Sequence, residues 1–399
     1  MSCFNAVQIS NSVFWVGAID WNLRNFHGYE TRRGSTYNAY LVKGNDGYIL
    51  IDTVKKGFEN ELLSRVRSVC DPKEIKFIIS NHAEMDHSGA IPEILPHVAP
   101  NAKLYASTLG VKALIAHFGN AVNPVPVANG TVLPLLGRTF RCVETRMLHW
   151  PDSMWTYDET DRILFTNDAF GMHLASYERW ADECDDDILE EESAKYFANI
   201  LTPYAPLIAK LIKAYPTLDL NPTAVCPDHG PCWRNDGIAH ILERYRAWSA
   251  GERKNRAIIV FDTMWHSTER MAHAIGEGLY AQGIDACLMP LSGSHRSDVA
   301  RQLLDSRACI IGSPTLNNGI MPTVADLLCY IKGLKFKLDV TAAFGSYGWA
   351  PAATKQIDAE LSSLSDSHLP PLNVLYVPTE NNLDACRQFG EQIAASLKN

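Results

Sequence analysis

From residue 257 onward the chain repeats one pattern five times, a short apolar run followed by an amphipathic stripe: 257–261 then 269–282, 286–289 then 298–306, 309–312 then 324–331, 340–344 then 355–364, and 374–377 then 383–397. Short β-type runs that alternate with helical stripes must pair in parallel, because each helix carries the chain back to the same end of the sheet. The pattern therefore predicts a doubly wound parallel sheet, in which ligands bind beyond the carboxyl ends of the strands.

The first part of the chain reads differently. Strands are expected at 12–18, 37–42, 48–53, 77–80 and 103–106, and 59–69 carries a helical stripe of Leu62, Leu63, Val66 and Val69. A second strand-rich stretch spans 122–168, with turns at Asn129-Gly130 and Leu136-Gly137. Helical pattern follows over 188–215, broken at Pro203 and Pro206, then a strand at 224–226 and a helix up to Ala250. The polar stretch 249–255 is the expected linker, giving an α/β domain over 1–250 and a second over 251–399. With 46% hydrophobic residues, a chain of 399 has apolar material for two cores.

A net charge of −9 argues against a general nucleic-acid binder. No apolar run approaches the roughly 20 residues that span a bilayer, and residues 1–10 lack a secretion-signal pattern, so a cytoplasmic protein is expected, with no membrane partner. The ten cysteines are scattered singly from Cys3 to Cys386, with no CxxC pair. Cys226 and Cys232, the closest two, flank a histidine without the spacing of a zinc or rubredoxin site. Buried, reduced thiols are expected.

The densest chemistry lies where the run 77–79 ends, in Asn81-His82-Ala83-Glu84-Met85-Asp86-His87-Ser88-Gly89. Four candidate ligands within six residues are costly for a fold unless cations offset their charge. His149, Asp168 and His229 recur at later strand ends. Each alone would pass for a capping or hydrogen-bonding residue, and only their joint occurrence points to metal.

An HxxxDH core followed by His, Asp and His resembles the metallo-β-lactamase superfamily. Where zinc hydrolases of that superfamily usually carry another histidine this chain has Glu84, and HxExDH resembles instead the flavodiiron proteins. Carboxylates are hard ligands suited to redox-active iron. The resemblance implies an αββα first domain with two irons: His82, Glu84 and His149 on one, Asp86, His87 and His229 on the other, Asp168 between them. For His87 it leaves two states open, a ring on the metal or one swung away with water in its place. His27 and Tyr196 match positions close to the irons, where they would give hydrogen bonds or protons to reduced oxygen or serve structurally.

The second domain then resembles flavodoxin. After its first strand comes Thr263-Met264-Trp265-His266-Ser267-Thr268, a phosphate loop without a Walker lysine, suited to a monophosphate held by hydroxyls and helix N-terminal amides. Ser313-Pro314-Thr315-Leu316-Asn317-Asn318-Gly319 and Ser346-Tyr347-Gly348-Trp349 follow at later strand ends, offering close backbone approach and rings to stack on a flavin. No GxGxxG fingerprint follows any strand, which argues against direct NAD(P)H binding.

The flavodiiron resemblance runs from about 7 to 396, in the family's domain order. It implies an oxidoreductase that takes electrons through FMN and reduces O2 to water, NO to N2O, or both. It further implies a head-to-tail homodimer or tetramer and a separate donor, rubredoxin or a reduced deazaflavin, since the sequence holds no four-cysteine module. Two rival readings are a zinc-dependent hydrolase with a flavodoxin appendage and a flavin electron carrier with a vestigial metal site.

Overall fold

The computed structural model describes residues 4–398, so Cys3 lies outside it. The chain divides into two compact units: one formed mainly by Thr31–Tyr196 and Tyr204–Arg246, the other by Ala247–Asn399 with Gly28–Glu30 and Phe197–Pro203. The division at Arg246 falls inside the helix Asp236–Ala250, so the stretch expected as a linker begins helical.

In the first unit a seven-stranded sheet is ordered Val7–Gln8, Val13–Trp15, Tyr40–Gly44, Gly47–Ile51, Ile75–Ser80, Lys103–Ser107, Pro124–Val127. A six-stranded sheet runs Val132–Leu135, Arg138–Glu144, Met154–Asp158, Ile163–Phe165, Ala224–Cys226, Trp233–Arg234. Successive side chains alternate between faces. Tyr40, Val42, Ile49 and Ile51 thus meet Phe140, Met154, Ile163 and Phe165 of the other sheet. Leu41, Leu50, Ile78 and Leu104 point outward and are covered by Leu62, Leu63 and Val66 of the helix Glu59–Arg67 and by Leu114 of Thr108–Phe118. The outer face of the second sheet is sealed through Trp155, Phe170 and Tyr245, with ring centroids 5.7 and 4.7 Å apart. This is the expected αββα sandwich. Strands buried on both faces read as continuous apolar runs, which is why 48–53 and 77–80 stand out in the sequence.

The segment 188–215 breaks as its prolines predict: Asp186–Tyr196 is α-helical, Phe197–Leu201 a π-turn, Thr202–Tyr204 a 3-10 turn, and Ala205–Ala214 a second helix.

The second unit is a five-stranded, wholly parallel sheet with Arg256–Phe261 between Asp285–Pro290 and Ala308–Gly312, followed outward by Leu338–Tyr347 and Ser365–Leu375. Helices Ser267–Ala281, Arg296–Leu304, Pro322–Gly333, Ala352–Leu361 and Glu380–Leu397 link or follow the strands. One expectation needs correction. The last strand is Ser365–Leu375, not 374–377, and includes Pro370 and Pro371. Proline lacks a ladder donor and reads as a break, but an edge strand tolerates it, and the register shift between Ala342 and Phe344 accommodates the irregularity. Among the described residues no helix is long and apolar enough to cross a membrane.

Candidate metal centre and flavin cavity

The metal loop is pinned before it turns. Asn81 donates from its backbone and side-chain amides to the two oxygens of buried Asp52, at 2.6 and 2.7 Å, and accepts from Thr156 Oγ1 at 2.6 Å. Ser88 Oγ donates back to the carbonyls of Ala83 and Glu84, closing the short helix Met85–Ser88. His82, Glu84, Asp86 and His87 thereby share one buried corner with His149, Asp168 and His229.

These seven side chains form two groups. Glu84 Oε2 lies 3.3 Å from His82 Nε2 and 3.0 Å from His149 Nε2, and Asp168 Oδ2 lies 3.3 and 3.1 Å from the same two nitrogens. Asp86 Oδ1 is 3.4 Å from His87 Nε2 and Oδ2 is 3.3 Å from His229 Nε2, while Asp168 Oδ1 is 3.0 and 3.5 Å from those nitrogens. Each oxygen of Asp168 therefore faces a different group.

The spacing fits metal ions. Donors about 2.1 Å from a common ion stand ~3.0–3.4 Å from one another, depending on coordination number. The carboxylate oxygens of Asp86 and Asp168 and both ring nitrogens of His87 are buried without a hydrogen bond among the described residues, so they converge without satisfying one another. Each group also holds two imidazoles and a terminal carboxylate, a donor set that suits non-haem iron. The electrostatics agree. Burial opposes charge on His82, yet hydrogen bonds to Asp152 and Glu84 and the charge of Asp168 raise its pKa well above the ordinary value. His149 is likewise pushed to about 9, against burial, by Asp168 and Glu84. A corner that draws protons onto buried imidazoles favours cations.

The outward ring nitrogens of His82 and His229 are held by residues that no sequence motif marks. Asp152 Oδ2 lies 3.1 Å from His82 Nδ1 and accepts from Ala83 N at 2.6 Å. His229 Nδ1 donates to Thr36 O at 2.6 Å, and Asp228 Oδ2 stands 3.5 Å from His87 Nδ1. Gly230 follows His229 at φ +71, where a Cβ would meet Met172 Cγ at 2.8 Å, so the turn that aims His229 requires glycine. Such partners fix tautomer and ring orientation, and losing one weakens metal binding about 10–100-fold. We expect Asp152→Ala to do this for the ion beside His82 while the ion beside His229 is retained, as chelator competition would measure.

Of the two residues expected near the centre, His27 lies at its mouth, largely exposed, with Nε2 3.6 Å from Glu84 Oε1. Tyr196 is buried, its ring 6.1 Å from His229 and 5.2 Å from His173. Burial and the charge of Asp168 raise its pKa well above 10, so it stays a neutral phenol. His173, which no sequence spacing marks, bonds through Nδ1 with Ser35 Oγ at 2.8 Å.

In the second unit a cavity of about 410 Å³ opens at the carboxyl ends of the strands, where the strand order reverses. Thr263, Met264, Trp265, Ser267, Pro314, Thr315, Ser346, Tyr347, Gly348, Trp349 and the next residue of that loop, Ala350, line it, joined by Tyr376 and Val377, which the sequence did not single out. The last two follow the misplaced strand. Ser267 opens a 15-residue helix whose N-terminal amides face this end, and Thr263 Oγ1 is buried without a partner among the described residues. An acceptor-rich dianion such as a phosphate satisfies both.

The remaining expected flavin residues lie off the cavity wall. His266 pairs with Glu269 at 2.5 Å. Buried Thr268 stands 3.5 Å from Ser346 Oγ. Ser313 Oγ bonds Pro314 O and Met321 N. Leu316, Asn317, Asn318 and Gly319 form a tight turn, closed by reciprocal bonds of 3.0 and 2.9 Å, with both asparagines at positive φ.

Comparison with known proteins places both halves. Residues 36–230 match the ODP family beta lactamase model and 259–390 match flavodoxin. The chain is 41% identical to the nitric oxide reductase of Moorella thermoacetica, over 98% of each chain. Its fold superposes on rubredoxin oxygen:oxidoreductase from Desulfovibrio gigas with a TM-score of 0.95, at 39% identity over 99% of each chain. The flavodiiron protein from Giardia intestinalis matches with a TM-score of 0.92 and 32% identity, over 98% of this chain and 96% of that one. The chain belongs to the flavodiiron family. The two constellations above are the candidate sites in this chain for the metals and the flavin.

Proposed function

We propose that the protein is a reductase that draws electrons through FMN and reduces O2 to water, NO to N2O, or both, at a non-haem diiron centre. The observation that carries this reading is the split of Asp168, one oxygen toward His82 and His149, the other toward His87 and His229. It favours a two-ion site, and Glu84, where zinc hydrolases usually carry another histidine, favours iron over hydrolytic zinc there. It also counts against a vestigial site, because buried donors without partners are costly to retain.

In this reading His82, Glu84 and His149 would hold one iron and Asp86, His87 and His229 the other, with Asp168 presenting an oxygen to each group. When bound, the irons supply Lewis acidity and redox chemistry for the diatomic, and FMN supplies electrons singly. Asp152 and Thr36 hold the His82 and His229 imidazoles in place. Tyr196, a neutral phenol, presents a hydroxyl group near the centre, and His27 at the mouth is placed to hand protons inward from solvent. In the second unit Thr263, Ser267 and the helix N-terminus hold the flavin phosphate, and Trp349 and Tyr347 cover the ring.

The donor is proposed to be rubredoxin, as in the name of the Desulfovibrio gigas relative, and the cellular site the cytoplasm. Trp265, Trp349 and Tyr376, exposed at 85%, 83% and 63%, rim the flavin cavity with apolar surface of the kind that partners cover. We assign that surface to a head-to-tail homodimer, in which one chain's flavin serves the other's irons. A monomerised variant is expected to keep both cofactors and lose turnover; full activity in a verified monomer would contradict the assignment.

Metal and flavin analysis with stopped-flow reoxidation tests the function itself. About two irons and one FMN per chain, with rapid reoxidation by O2 or NO, are expected. Zinc with hydrolytic turnover, or reoxidation indifferent to the loss of metal, would refute it.

A further inference from the structure

Cys226 ends the strand Ala224–Cys226, and Cys232 immediately precedes Trp233–Arg234. The antiparallel register pairs Ala224 with Arg234 and Val225 with Trp233, so the next rung sets Cys226 opposite Cys232. The backbone of Cys232 is engaged elsewhere, its N–H donating to Arg179 O and its carbonyl accepting from Ala181 N, both at 2.8 Å. Cys226 O accepts from Thr166 N at 3.2 Å. Neither cysteine bonds the other through its main chain, which marks a non-hydrogen-bonded rung. Opposed Cα atoms there are about 4.5 Å apart, within the roughly 4.4–6.8 Å that a disulfide spans.

The side chains already meet. The two thiols lie on one buried rung, and Tyr40 Oη stands 3.4 Å from Cys232 Sγ. Both are buried and both are free thiols in the structure. Between them runs Pro227-Asp228-His229-Gly230-Pro231, the loop that aims His229.

We propose that Cys226 and Cys232 are a redox-active pair that a hydroperoxide converts to a cross-strand disulfide, closing the base of the His229 loop. The two sulfurs take unequal parts. Burial raises both, but the neighbouring Cys226 thiol and the charge of buried Arg179 bring Cys232 below the ordinary thiol range, while Cys226 is pushed well above it. Cys232 therefore attacks. Its sulfur takes one peroxide oxygen as the O–O bond breaks, giving a sulfenic acid and releasing the other oxygen as water, or as the alcohol from an organic peroxide. Cys226 Sγ then attacks the sulfenic sulfur, the S–S bond forms, and the hydroxyl leaves as water with the Cys226 proton. The pair loses two electrons and the peroxide gains them.

The test is a hydrogen peroxide titration of the full-length protein followed by alkylation in denaturant, tryptic digestion and mass spectrometry. Cleavage after Lys213 and Arg234 yields a peptide that holds Cys226 and Cys232 and no other cysteine. Both alkylation sites are expected to vanish together, leaving a peptide lighter by a pair of hydrogen atoms and restored by dithiothreitol, while isolated, buried Cys309 stays alkylatable. In Cys226→Ser, dimedone is expected to trap the sulfenic acid on Cys232. The proposal is overturned if both thiols survive prolonged exposure to a dose that oxidises exposed Cys329, if either is over-oxidised without the bond forming, or if Cys226 alone takes dimedone in the corresponding Cys232→Ser variant.

Discussion

Asp168→Ala is expected to strip the centre of both ions and to lower gas reduction by about 10³-fold or more, equivalent to ~4 kcal/mol of transition-state stabilisation. The size follows from geometry. Among the described residues Asp168 is the side chain that faces both groups, with oxygens 3.0–3.5 Å from four imidazole nitrogens. Its removal withdraws a donor from each ion and the negative charge that keeps two cations close. FMN content should not change, because every residue lining the flavin cavity belongs to the other unit. Asp168→Asn makes the sharper comparison: it keeps the volume but offers one oxygen, so about one iron per chain should remain. Iron analysis together with flavin absorbance checks both variants, and an Asp168→Ala protein that retains two irons would contradict the bridging role.

Ser267→Asp should do the reverse. Ser267 is the first residue of the helix Ser267–Ala281 and lines the same cavity as Thr263, whose hydroxyl has no partner among the described residues. A carboxylate there is tolerated by the fold, since negative charge at a helix N-terminus is worth about 0.3–1 kcal/mol of stabilisation. Toward a bound phosphate the same charge is repulsive. Two unit charges ~4 Å apart at an effective dielectric near 20 cost about 4 kcal/mol, so FMN affinity should fall by on the order of 10²–10³-fold. Iron content should stay near two per chain. Flavin titration of the apoprotein measures the loss, and unchanged affinity would move the phosphate away from this helix.

The two variants separate the cofactors because the sequence separates them. Much of that separation was legible. The five strand and helix repeats appear in order, and the strands Arg256–Phe261, Ala308–Gly312 and Leu338–Tyr347, buried along almost their whole length, leave the clearest apolar runs. His82, Glu84, Asp86 and His87 were legible because so many titratable groups rarely crowd one strand end. His149, Asp168 and His229 gained meaning only together, and their convergence comes from neighbouring strands of the second sheet, which no local spacing encodes. Asp152 and Asp228 were hidden in plain view, each near a candidate ligand in sequence yet indistinguishable from a turn residue until ring nitrogens were placed beside them. His173 carried no signal, because its relation to Ser35 and His229 is made wholly by tertiary packing. The last strand was misread because Pro370 and Pro371 look like a break, and Tyr376 and Val377 of the flavin cavity were lost with it. Leu316 to Gly319 matched a ligand loop in composition, and the structure shows them as a closed turn with both asparagines at positive φ.

Anomalous diffraction at the iron edge from crystals of the protein purified with its metals reaches the central claim most directly. Two iron peaks about 3.5–4 Å apart are expected, one against each oxygen of Asp168, with His82, Glu84 and His149 around the first and Asp86, His87 and His229 around the second. A single peak, a zinc edge in place of iron, or a pair of ions remote from Asp168 would contradict it.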